Sequence, residues 1–140
     1  MAMATDHDTE NVSALLQEWA DAERTADSDA YASLLTDDFI GIGPAGFVLS
    51  RDQWEQRFAN GLINHTFDVV QPHIRFHEQT AIIEAQLQQD STFVGSKVQG
   101  SFRLGLVVIR AHGGWRLASV QISGPMPEPG STPSFVAARQ

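Results

Sequence analysis

The sequence predicts one α+β domain in which helices come first and an antiparallel meander of four strands follows. Three observations predict it. Apolar residues recur at helical spacing near the start. A second capping signature opens at Ser50. From Thr66 onward the chain turns to β-branched and aromatic runs, ending in Lys97–Pro125, which reads as two long strands about a turn at His112-Gly113-Gly114.

Residues 1–10 are polar and acidic and read as a flexible N-terminus. Val12, Leu15, Leu16, Trp19, Ala22 and Ala26 then form one apolar stripe, with Glu18, Asp21, Glu23 and Arg24 assigned mainly to the other side. Asp27-Ser28-Asp29 breaks the pattern and offers an N-cap for a short second helix over 30–35, which Thr36-Asp37-Asp38 ends. Phe39–Gly43 and Phe47–Leu49 flank Pro44-Ala45-Gly46 as a small hairpin. Ser50 and Gln53 make a capping box for a third helix, with Trp54 and Phe58 on one face and Gly61 as its stop. Strands over 66–77 and 80–89 precede the terminal hairpin. Pro72 demands an edge, a bulge or a bend in the first of them. Residues 126–140 are rich in Pro, Ser and Gly and read as a flexible tail.

The 140 residues suffice for one core without staples. With no cysteine, disulfides, thiolate zinc sites and cysteine nucleophiles are excluded. Seventeen acids against nine bases give a net charge of −8, which argues against nucleic acid or an anionic membrane as the main partner. The N-terminus shows no signal peptide, and no window approaches a membrane span, so a cytoplasmic location is expected.

The order of elements, with LLTDDF at Leu34–Phe39 and GWRLASVQIS at Gly114–Ser123, resembles the nuclear transport factor 2-like superfamily. Trp19–Ala22, Ala81–Ala85 and Phe102–Leu104 add to the likeness, which spans residues 11–125 and lies nearest SnoaL-like proteins and the association domain of calcium/calmodulin-dependent kinase. The resemblance implies a cone-shaped, cystatin-like fold: three N-terminal helices on a strongly bent antiparallel sheet, with a pocket at the mouth. Four enzyme templates of the superfamily fail on particular residues. The ketosteroid isomerase base falls at Gly43, and its oxyanion donors fall near Trp19 and Val107. The epoxide hydrolase dyad is missing, because Arg103 is followed by Leu104 and Gly105. The SnoaL-type acid has no counterpart near Gln121, and the scytalone dehydratase tyrosine pairs cannot be built from Tyr31 alone.

The kinase-domain resemblance puts Glu84, Arg103 and Gln121 in the pocket, and strand alternation adds Ser119 beside Gln121. Glu84 and Arg103, two charges among aliphatic neighbours, are expected to pair at the pocket floor. Trp19, Phe39, Trp54 and Phe58 are core or mouth aromatics, and Tyr31 can present its hydroxyl there. Glu84, Arg103 and His65 are the candidate acid–base groups. His73 and His77, about 13 Å apart along a strand at ~3.3 Å per residue, cannot share a metal. No metal or cofactor is expected. If Arg103 faces the pocket, Phe102, Leu104, Leu106, Val120 and Ile122 face outward, and a second copy of the chain covers them. The expected function is a dimeric protein binding a small apolar molecule with a polar or acidic group. A cofactor-free acid–base enzyme and a pure assembly module are the alternatives.

Overall fold

A computed structural model describes residues 5–127. Helix α1 (Asp6–Thr25) starts inside the stretch expected to be flexible, because Thr5 and Asp8 close a reciprocal capping box over its first turn. It ends at Ala26 in the left-handed conformation. A 3₁₀ turn (Ser28–Ala30), capped by Asp27, leads into the four-residue helix α2 (Tyr31–Leu34). Strand β1 (Leu35–Ile42) follows at once, so Asp37 and Asp38 lie on a strand rather than in a helix-ending turn. After β2 (Val48–Ser50), helix α3 (Arg51–Ala59) begins with the Ser50–Gln53 capping box. The long strands β3 (Leu62–His77), β4 (Thr80–Phe93), β5 (Ser96–Ala111) and β6 (Gly114–Ser123) complete the chain. The tail expected over 126–140 lies outside the described residues from position 128 on.

One sheet runs in the order β2-β1-β6-β5-β4-β3. The last four strands form the expected antiparallel meander. β1, however, adds to β6 in parallel, so the sheet is mixed. Pro72 sits in the register break between Val70 and His73, where the missing N–H costs no ladder bond. The turn between β5 and β6 takes its two positive φ angles at His112 and Gly113, with Gly114 already in the strand.

The register decides which face is core. Ala81, Ile83, Ala85 and Leu87 of β4 stand opposite Val108, Leu106, Leu104 and Phe102 of β5, and Val120 and Ile122 of β6 extend the rows. All are buried, together with Val12, Leu16 and Trp19 of α1. The expectation that Phe102, Leu104, Leu106, Val120 and Ile122 face outward is therefore overturned. They are the apolar rows that the helices cover, and Arg103, Gly105 and Gln121 stand exposed on the opposite face. The alternation has period two, so turning Arg103 inward would expose all five.

Trp54 of α3 reaches the core through a glycine. A Cβ built on Gly41 would lie 2.3 Å from the Trp54 ring, so the bare backbone of β1 is what admits the indole. Gly41→Ala forces that ring aside and should destabilise the fold by about 3 kcal/mol, read as a lower urea midpoint. An unchanged midpoint would show that the ring has room to move.

Candidate functional site

Sequence spacing places Glu23 four residues beyond Trp19, on the same helical stripe as Val12 and Leu16, and not on the solvent side. Its side chain is wholly buried. Three other elements supply donors. Tyr31 of α2 donates its hydroxyl to Glu23 Oε2. Trp54 of α3 donates its indole N–H to the same oxygen at 3.0 Å. Arg57, one turn further along α3, donates Nη2 to both carboxylate oxygens at 2.8 Å. The network runs on into the sheet: Asn64 of β3 donates to the Glu23 carbonyl at 2.9 Å, and Ser91 of β4 donates to Asn64.

A buried carboxylate is costly unless it is paired and hydrogen-bonded, and here both conditions hold. Arg57 also lies flat on Trp54, its guanidinium carbon 3.7 Å from the ring centroid, and its Nε donates to the Trp54 carbonyl at 2.8 Å. Of these four side chains only Arg57 reaches solvent, with 17% of its side chain exposed. Burial, and after it the neighbouring Glu23 charge, push the Tyr31 phenol far above its ordinary range. Tyr31 therefore stays a hydrogen-bond donor at any ordinary pH.

Of the residues expected at the site, Tyr31 and Trp54 bond Glu23, Phe58 lies beside Tyr31 with ring centroids 6.1 Å apart, and Phe39 packs edge-on to Trp54 at 5.8 Å. Trp19 is buried against Phe67, and its indole N–H has no partner among the described residues. The polar members expected with them are elsewhere. Glu84 pairs with Arg75 at 3.2 Å on the exposed sheet face. Arg103 donates to the Ala85 carbonyl at 3.3 Å, and Gln121 is exposed nearby, so the expected Glu84–Arg103 pair does not form. Ser119 shares that outer face, opposite Val107. His65 is exposed beside Thr92. The residues missed were Glu23, Arg57, Asn64 and Ser91. For the first two a signal existed: Glu23 keeps step with Trp19, and Arg57 keeps step with Trp54.

No helix among the described residues is long and apolar enough to cross a membrane. The profile of the SnoaL-like domain family matches residues 12–127. No curated protein resembles the chain closely enough in sequence to match. Solved structures do resemble it. An NTF2-like protein from Cytophaga hutchinsonii is 14% identical with a TM-score of 0.78, covering 83% of this chain and 97% of its own. A candidate calcium/calmodulin-dependent kinase II association domain from Exiguobacterium sibiricum is 18% identical with a TM-score of 0.77, covering 91% and 99%. An uncharacterised cystatin-like protein from Caulobacter vibrioides is 19% identical with a TM-score of 0.74, covering 96% and 99%. At these identities the likeness concerns the fold alone.

Tyr31 is the chain's one tyrosine, so phenolate absorbance reports it alone. Its raised folded-state pKa means that the stability it contributes is complete below about pH 10, where the unfolded phenol titrates, and falls as pH rises beyond. Absorbance at 295 nm should stay flat through pH 10 and rise only with unfolding followed by circular dichroism. Ionisation near pH 10 in a folded protein would contradict the buried bond to Glu23.

Proposed function

From the premise that this chain belongs to the SnoaL-like domain family, within the nuclear transport factor 2-like superfamily, we propose that it binds a small organic molecule at Glu23, beneath α3. One observation carries the reading: a fully buried carboxylate is reached by two fixed donors and by one partly exposed arginine. Tyr31 and Trp54 cannot leave without unpacking the core. Arg57 alone of the cluster touches solvent, and the ligand would take the place its guanidinium now fills between the Trp54 ring and the carboxylate. The group that fits is planar and donates two hydrogen bonds, as Arg57 itself does. An acidic ligand, expected when Arg103 was placed in the pocket, meets the wrong charge there. An amine or amidine on an apolar body suits both the carboxylate and the ring.

A second reading concerns assembly, and the outer sheet face favours it. Ile82, Val107, Ser119 and Ile40 line up across four strands, and the neighbouring row holds Gly105, Gln121, Ile42 and Val48. Ile40 and Val48 are exposed, Val48 at 61%. Small residues at the centre allow close approach, and Arg103, Arg75 and Glu84 bring both charges to the same face. A two-fold dimer pairing this face with itself is the partner arrangement we propose, in place of one built on Phe102 and Leu104. The working location of this dimer is the cytosol.

Two experiments test these readings. Arg57→Ala strips Glu23 of its counter-charge and should cost about 3 kcal/mol. Benzamidine at millimolar concentration should then restore much of the lost thermal stability, and should do nothing for the Glu23→Gln/Arg57→Ala double variant. Equal effects on both variants would refute the binding site. For assembly, sedimentation at micromolar concentration should give a dimer and Val107→Lys a stable monomer; a wild-type monomer would refute the interface.

A further inference from the structure

Strand β5 has 16 residues and its neighbour β6 only 10. Residues 103–111 of β5 pair with β6, which ends at Ser123, whereas residues 96–102 pair as a strand with β4 alone. Beyond Ser123 one flank of β5 is therefore an open edge, and an open edge is a template for another extended segment.

The chain itself starts to fill that edge. Past Ser123 the backbone turns through Gly124, at φ +132°, and comes back to β5, where Met126 donates its N–H to the Ser101 carbonyl at 2.7 Å. Gln86, on the outer face, donates to Met126 Sδ at 3.7 Å, so the Met126 side chain lies on that face too. In a strand the N–H and C=O of one residue point the same way, and those of its neighbours point the other way. With Met126 turned to β5, Glu128 and Gly130 are the next residues whose N–H would face it. Residues 125–130 read Pro-Met-Pro-Glu-Pro-Gly. Each proline thus falls where an edge strand needs no N–H, and each other residue falls where it needs one.

We propose that residues 127–130 continue beside β5 as its edge strand, with Glu128 opposite Gln99 and Gly130 opposite Lys97, so that the tail of each chain closes its own sheet. Charge agrees with this register. Glu128 shares the outer face with Met126 and stands diagonal to Lys97. Lys97 is the chain's single lysine, and it pairs with no acid among the described residues. The pairing also has a consequence. Prolines turned outward offer no N–H to a further strand, so this flank of the sheet is closed to edge-to-edge addition by other chains. The strap rests on neither the Glu23 site nor the dimer.

Amide hydrogen exchange in the full chain, resolved by NMR, tests it. The Glu128 and Gly130 amides should exchange at least about tenfold more slowly than those of an unstructured chain. Cross-strand Hα contacts should link Pro127 to Gly100 and Pro129 to Val98. Glu128→Pro removes an inward N–H and should abolish protection at Gly130, whereas Pro129→Ala, on the outward side, should leave it in place. Both positions follow the last core strand, so the fold survives either change. Free exchange at Glu128 and Gly130 overturns the proposal, as does an equal loss of protection in the two variants. Hα contacts that arise only between differently labelled copies in a mixed sample also overturn it, because the occupant is then another chain's tail.

Discussion

The structure depends on one carboxylate held where water cannot reach it. Burying Glu23 costs several kcal/mol before any partner is counted. Tyr31, Trp54 and Arg57 offset that cost, and they come from two separate helices. α2 must therefore lie against α1, and α3 must cross to the same point. Asn64 and Ser91 carry the tie to β3 and β4 through the Glu23 carbonyl. The same bonds constrain β1, because Trp54 reaches the carboxylate only over a residue with no side chain, Gly41. An apolar residue at position 23 would pack as well but would specify less: it would not require a phenol, an indole and a guanidinium to meet at one point.

Much of the fold was legible. The stripe from Val12 to Ala22, the Ser50–Gln53 capping box and the four-strand meander all follow from periodicity and capping chemistry. The parallel addition of β1 to β6 was not, because a short strand with aliphatic residues on both faces pairs equally well either way by pattern. The start of α1 was hidden for a different reason. An acidic run reads as solvated tail, yet Asp6 and Asp8 are what a helix N-terminus favours.

The aromatics that gather around Glu23 were legible, and the charges were placed on the wrong face. On β5, Phe102, Leu104, Leu106 and Val108 form an unbroken apolar row, whereas the alternate row holds Arg103 and Gly105. Residue chemistry alone puts the first row inside. Val107 and Ile109 blurred the contrast by making the second row half apolar, and the resemblance to the kinase domain then turned Arg103 inward. The misplacement carried Glu84 and Gln121 with it, since their places are fixed by register to β5. Glu23 was missed because a charged residue beside Asp21 and Arg24 reads as part of a solvated face. Only its phase relative to Trp19 separates it from them.

A sheet of this kind keeps its two faces chemically independent. Successive side chains of β5 alternate between the helices and the open side, so Phe102 and Leu104 belong to the Glu23 layer while Arg103 and Gly105 belong to whatever meets the outer face. The outer face can gain or lose a partner without a side chain of the inner layer moving. One strand brings an inner ring directly onto its backbone. That strand is β1: Gly41 lies under Trp54, and Ile40 and Ile42 on either side of it point to the outer face. The bare backbone of Gly41 is thus all that stands between the Trp54 ring on one side and the open face flanked by those two isoleucines on the other. Alternation separates the two faces along the strands, and at this glycine the separation narrows to the backbone itself.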